Sequence, residues 1–140
     1  MPRDSPPLDL SRSGELRWGR SLLKWTLAPR DQVTPEAWAD GPTRSCFDPE
    51  KAVNPVYLRS LRPGDRLDPQ GMEGSQKLSD LFINLKVPRH MRTSVPLLCD
   101  NGGPEDEERI LWVVGHRRSC HGPVAPETAQ VVLFEAETGI

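Results

Sequence analysis

Residues 75–92 read SQKLSDLFINLKVPRHMR. Four apolar residues in this stretch have the i, i+3, i+4, i+7 spacing that gives a helix one apolar face: Leu78, Leu81, Phe82 and Leu85. Ser75 has the chemistry of an N-cap, and Pro88 both stops this helix and suits the first position of another. The stretch therefore predicts two consecutive helices, over residues 75–86 and 88–92, the first with one side against a core.

Short apolar runs on both sides of the helical pair predict strands. Upstream, residues 15–28 have the pattern of a two-stranded hairpin, with Trp18 and Trp25 as core anchors. Further strands are predicted over residues 43–47, 56–59, 95–99, 110–114 and 129–135. The sum is an α+β fold in which short strands flank a two-helix segment.

The length of 140 residues suits one principal core with a small appended module. Three segments are predicted: a flexible tail or linker over residues 1–14, an N-terminal β-rich extension over residues 15–56, and the principal domain over residues 57–140. No apolar run approaches the roughly 20 residues of a membrane span, and the N-terminus lacks the apolar core of a signal peptide. We therefore expect a cytoplasmic protein with no membrane partner.

The charge is unevenly distributed along the chain. The formal net charge is −2, but residues 57–92 hold 7 basic and 4 acidic residues, whereas residues 93–140 hold 3 basic and 8 acidic residues. Local potential, and not the total charge, steers an anionic ligand to its site. This distribution permits a polyanion-binding face in the middle third of the chain.

The cysteines and histidines do not form a recognisable chemical site in the sequence. Cys46, Cys99 and Cys120 are widely spaced with no CxxC motif, which indicates reduced thiols. Cys120 and His121 are adjacent, but no set of partners at ligand spacing accompanies them, so a polar loop is the simpler interpretation. We expect no catalytic residue, no metal site and no hydrolase built on these side chains.

Two stretches of the sequence also resemble a known protein family. Residues 59–98 read RSLRPGDRLDPQGMEGSQKLSDLFINLKVPRHMRTSVPLL, and residues 110–117 read ILWVVGHR. The motifs R-P-G-D-R, L-S-D-x-F, K-V-P and I-L-W-V-x-G-x-R resemble the C-terminal domain of bacterial tRNA(Ile)-lysidine synthase. The resemblance implies a PheT/TilS-like C-terminal domain with the upstream strands as a small β extension. The chain departs from the family at Gln76, where a second lysine is usual, and after Gly115, where acidic residues are common.

The resemblance also implies a function. In that family a separate N-terminal domain joins lysine to the wobble cytidine of tRNA(Ile) with ATP, and the C-terminal part recognises the tRNA. These residues lack the S-G-G-x-D-S loop of the catalytic domain, so we expect a chain that binds tRNA(Ile) and is not an enzyme by itself. ATP and lysine would be used by a separate catalytic domain or chain, and this chain would need no cofactor. The oligomeric state stays open.

The tRNA-binding residues implied by the resemblance are basic side chains that suit phosphate contacts. The predicted set is Arg59, Arg62, Arg66, Lys77, Lys86, Arg89, Arg92, Arg117 and Arg118. For individual members the alternative is a structural pair, such as Arg66 with Asp65 or Lys77 with Asp80. For the whole chain the alternative is a module of the same fold that has lost tRNA binding and serves in protein interaction or structure.

Overall fold

The computed structural model describes residues 4–33, 41–71 and 73–138. Within these ranges the chain forms ten strands and one α-helix, α1 (Leu78–Asn84). Short 3₁₀ helices lie at Arg30–Gln32, Pro49–Lys51, Arg89–Ser94 and Pro104–Asp106. None of the helices in the described part of the chain is long and apolar enough to cross a membrane.

The first sheet is antiparallel and has the order β1-β2-β10-β3. Its strands are β1 (Gly14–Trp18), β2 (Ser21–Pro29), β3 (Arg44–Phe47) and β10 (Gln130–Thr138). The predicted hairpin is confirmed, with a turn in which Gly19 takes a φ of 59°. Trp18 and Trp25 are both buried, as their predicted role as core anchors requires.

The second sheet is the middle layer of the fold. It has the order β4-β7-β8-β9, with β4 (Tyr57–Arg59), β7 (Leu97–Asp100), β8 (Arg109–Val113) and β9 (Arg117–Arg118). Leu98 and Trp112 pack into a core shared with the first sheet, whereas Leu97 and Val113 pack into a second core with α1. Because both faces are covered, β7 and β8 are apolar along nearly their whole length.

A two-stranded sheet of β5 (Arg66–Leu67) and β6 (Gln76–Lys77) leads into α1. The predicted N-cap, Ser75, is wrong: residues 76–77 are extended because they pair with β5, and Lys77 occupies the N-cap position. The helix also ends earlier than predicted, so Leu85 lies past its end and is 41% exposed. The second predicted helix is a 3₁₀ helix, Arg89–Ser94.

The three segments expected from the sequence interleave in space. β10, near the end of the chain, lies between β2 and β3 of the upstream segment. The backbone N–H groups of Ser5 and Leu8 donate to the carbonyls of Leu58 and Val56 at 2.8 and 2.7 Å, and Leu8 is buried. Residues 5–8 therefore run along β4 and contribute to the core.

We expect Leu81→Ala to lower the free energy of unfolding by about 2–5 kcal/mol, because it opens a cavity in the core beneath α1. Leu81 is 2% exposed, whereas Ile83 on the same helix is 60% exposed. Ile83→Ala is thus the matched control and should cost under about 1 kcal/mol. Urea unfolding followed by circular dichroism measures the free energy of unfolding of both variants. If the two substitutions lower it equally, Leu81 does not face the core as assigned.

Candidate nucleic-acid interface

The turn between β4 and β5 is closed at both ends by Asp65. The backbone N–H of Arg62 donates to Asp65 Oδ2 at 2.7 Å, and the backbone N–H of Asp65 donates to the Arg62 carbonyl at 3.2 Å. Gly64 has a φ of 85°, which suits glycine and which the Pro63-Gly64 pair predicts. The turn holds Arg62 and Arg66 on either side of it.

Arg59 lies underneath this turn and is 2% exposed. Its two terminal nitrogens donate to the two Asp65 oxygens at 2.8 Å each, and its Nε donates to Glu108 Oε1 at 2.9 Å. Burial, together with the nearby Asp4 carboxylate, raises the pKa of Glu108. Arg59 therefore links β4, the turn and the loop before β8, and it is not accessible to a ligand.

Arg66 and Lys77 face each other directly across the β5–β6 pair. Arg66 does not pair with Asp65; its Nε donates to Ser75 Oγ at 2.8 Å. In the described part of the chain, the Lys77 side chain forms no hydrogen bond or ion pair, with Asp80 or any other residue. Like charges directly opposite each other destabilise a strand pair, so an anion between them would be favoured.

Arg66 and Lys77 line two adjoining surface depressions. One, of about 490 Å³, lies against α1 and includes Asp80, Ile83 and Asn84. The other, of about 440 Å³, lies against the turn and includes Arg62. Arg62 itself is half-exposed, and its Nη2 lies 2.6 Å from the Asp4 carboxylate.

A second group of cations follows the end of α1. Lys86 has a φ of 58°, and the N–H groups of Lys86 and Val87 donate to the carbonyls of Ile83 and Phe82 at 3.0 and 2.9 Å. These two bonds form a Schellman motif, in which glycine usually occupies the place of Lys86. The exposed Arg89 follows, whereas the half-buried Arg92 donates its Nε to the Val87 carbonyl at 3.1 Å.

The last two predicted contacts, Arg117 and Arg118, lie in β9. Arg118 is buried, its guanidinium is 4.1 Å from the centre of the Phe47 ring, and its Nη1 donates to the Cys46 carbonyl at 2.6 Å. It therefore joins β9 to β3. Arg117 is half-buried and has a further interaction within the chain.

Sequence reasoning missed the partners of these cations. Glu108, from the acidic loop before β8, binds Arg59, and Asp4, from the segment predicted to be a flexible tail or linker, binds Arg62. No local spacing signals either pair, since each joins residues about 50 or more positions apart. By contrast, helical periodicity does place Asp80 and Asn84 on the Lys77 side of α1.

The histidines and cysteines considered in the sequence analysis have ordinary structural contacts. His121 Nε2 lies 2.8 Å from Asp68 Oδ2, and the ring of His116 stands edge-on to Phe82, where burial lowers the pKa of His116. Cys46, Cys99 and Cys120 form no disulfide, and burial raises the pKa of Cys99 to about 12. Among the described residues no group of three or more side chains could hold a metal ion.

The architecture defines a class: a small α+β domain of stacked antiparallel sheets with one helix against the middle sheet. A solved structure described as the crystal structure of the TILS C-terminal domain has the same fold, with a TM-score of 0.71 and 26% sequence identity over 86% of this chain and 85% of that one. The chain belongs to the TilS substrate C-terminal domain family, whose sequence model matches residues 56–134.

Its sequence relatives are much longer proteins. The tRNA(Ile)-lysidine synthase of Geobacter sulfurreducens is 45% identical over 85 residues, which are 60% of this chain and 17% of that protein. The tRNA(Ile)-lysidine synthase of Clostridium tetani is 36% identical over 91 residues, which are 65% of this chain and 18% of that protein. The bifunctional protein TilS/HprT of Listeria monocytogenes is 38% identical over 75 residues, 11% of its length. The chain thus spans less than a fifth of these relatives.

We expect Arg59→Ala to destabilise the domain by about 3 kcal/mol, because it leaves the Asp65 and Glu108 carboxylates without their buried partner. Arg62→Ala, which removes a half-exposed pair, should cost about 0–1 kcal/mol. Denaturant unfolding of both variants gives the comparison. A cost for Arg59→Ala no greater than that for Arg62→Ala would refute its structural role.

Lys86→Gly should stabilise the domain by about 0.5–1 kcal/mol, since glycine takes a positive φ without the steric cost that lysine bears. Lys86→Ala removes the same charge but keeps the strained backbone, so its stability should stay close to that of the wild type. Thermal unfolding of the two variants separates backbone strain from charge. A glycine variant less stable than the alanine variant would count against the assigned strain.

Proposed function

We propose that this chain is the tRNA-binding, substrate-recognition C-terminal part of a tRNA(Ile)-lysidine synthase, with tRNA(Ile) as its partner in the cytoplasm. The activity of the whole protein, ATP-dependent addition of lysine to the wobble cytidine, is part of the proposal. We assign that chemistry, with its ATP and lysine, to a separate catalytic domain or chain. This chain supplies binding and orientation.

The observation that supports tRNA binding best is the opposition of Arg66 and Lys77. Two cations face each other across a strand pair beside an open groove, and no carboxylate of the described residues forms an ion pair with either. A phosphate group between them would relieve their repulsion, and each neutralised phosphate releases counterions. The Ser75 hydroxyl fixes Arg66 in place for such a contact.

The cations at the two ends of α1 extend this surface. The helix rises about 1.5 Å per residue, so Lys77 and Lys86 lie roughly 10–15 Å apart along it. Such a spacing suits contact with more than one phosphate of the same strand. The accessible members of the expected set form the proposed surface: Arg62, Arg66, Lys77, Lys86 and Arg89.

The remaining expected cations take supporting roles in the proposal. Arg59 and Arg118 are buried and bonded to other elements, so they hold the fold that carries the surface. Arg92 is half-buried and holds the start of its 3₁₀ helix through the Val87 carbonyl. Arg117 is half-buried with a partner within the chain, and we leave it out of the surface.

A protein-interaction module is the second candidate, and two observations favour it. Arg62 is already paired with Asp4, which lowers the positive potential at the turn. Three large apolar side chains around the end of α1 are exposed, Ile83, Leu85 and Met91. A protein partner would bury such a patch, whereas a tRNA would depend chiefly on the cations.

Fluorescence anisotropy with tRNA(Ile) bearing a CAU anticodon, and with an unrelated tRNA, tests the proposal at about 50 and 200 mM salt. We expect salt-sensitive binding that prefers tRNA(Ile). The double variant Arg66→Ala/Lys77→Ala should weaken binding to both and reduce the slope of log K against log salt by about 2, because two phosphate contacts are lost.

Arg20→Ala is the matched control. Arg20 is an exposed arginine in the turn between β1 and β2, in the first sheet, and its loss should leave the salt slope unchanged. Absence of binding to any tRNA at low salt would contradict the proposal and favour the protein-interaction module. Equal effects of the control and the double variant would contradict the assigned surface.

A further inference from the structure

The groove beside α1 combines chemistries that phosphate binding alone does not require. Arg66 and Lys77 line it, and so do Asp80 and Asn84 from α1. A carboxylate repels a phosphate, so Asp80 weakens a site meant only for anions. Its presence is favourable if the ligand brings a hydrogen-bond donor as well as a negative charge.

Asp80 and Asn84 are available for such a donor. They are four residues apart on α1 and therefore adjacent on one face of the helix. Both are exposed, and neither side chain forms a hydrogen bond or ion pair with any residue that the structure describes. Lys77, three residues before Asp80, is also unpaired within that part of the chain.

The backbone of RNA carries both chemistries at once. Each nucleotide has a phosphate, an apolar ribose surface and a 2′-hydroxyl that donates and accepts hydrogen bonds. Ile83, 60% exposed in the same groove, offers an apolar contact for the ribose. DNA has the phosphate but lacks the 2′-hydroxyl donor.

We infer that this groove selects RNA through its ribose: a phosphate lies at Arg66 and Lys77, the ribose packs on Ile83, and a 2′-hydroxyl donates to Asp80 or Asn84. The inference rests on the proposed function and assigns it two specificity-determining residues. A strand without the donor leaves the Asp80 carboxylate close to phosphate with nothing to offset the repulsion, so the groove disfavours it.

A short RNA hairpin and the same hairpin with 2′-fluoro sugars test this inference. The fluoro sugar keeps the A-form helix and every phosphate but removes the donor. Anisotropy titration of the 140-residue chain at about 50 mM salt should give about 3- to 10-fold tighter binding of the 2′-hydroxyl RNA, the worth of one hydrogen bond. The double variant Asp80→Ala/Asn84→Ala should bind the two hairpins about equally, and its affinity for the 2′-fluoro hairpin should stay unchanged or rise.

Three variants serve as controls. Asp80→Asn keeps an acceptor oxygen but loses the repulsive charge, so it should retain a smaller preference than the wild type. Glu127→Ala removes an equal charge from an exposed position outside the groove and should leave the preference unchanged. Arg66→Ala should weaken both RNAs by the same factor. Circular dichroism checks that each variant is folded.

The outcomes separate the inference from the function on which it rests. Equal binding of the two hairpins by the wild type, or a preference that survives in Asp80→Ala/Asn84→Ala, overturns the ribose selection and leaves RNA binding intact. Failure to bind either hairpin overturns the inference, whereas absence of binding to any tRNA in the earlier titration overturns the proposed function as well.

Discussion

Arg59 brings a full positive charge into the interior of the domain, and that charge must be compensated there. Asp65, in the following turn, accepts two hydrogen bonds from Arg59, and Glu108, in the loop before β8, accepts another. An unpaired guanidinium at this depth would cost several kcal/mol, so the turn and the loop are fixed in position by the same side chain. Every exposed cation of the turn depends on this arrangement.

The basic residues of the middle third therefore serve two purposes. Those that reach the interior, such as Arg59, and Arg118 further along the chain, hold one element to the next. Others, such as Arg66 and Lys77, stay outside and lie opposite each other. An anion between them would reduce their mutual repulsion. These internal contacts give the outer charges a rigid support, which would reduce the entropy lost if a ligand bound there.

Much of the architecture follows from local patterns in the sequence. The hairpin with Trp18 and Trp25, the Pro63-Gly64 turn and the apolar face of α1 all come from residues close together in the chain. The length of α1 does not, because residues 76–77 pair with β5 and Lys86 turns the backbone into a positive φ. Tertiary pairing outweighed the helix propensity of the flanking residues.

The sequence by itself determined the α+β class, the family resemblance and the concentration of positive charge between residues 57 and 92, because these depend on composition, spacing and motifs. Only the tertiary structure decided which cations are accessible and placed Asp4 beside Arg62 and Glu108 beside Arg59. It also decided that β10 returns to the first sheet. The physical reason is that burial and ion pairing join residues far apart in the chain, and local spacing does not predict those contacts.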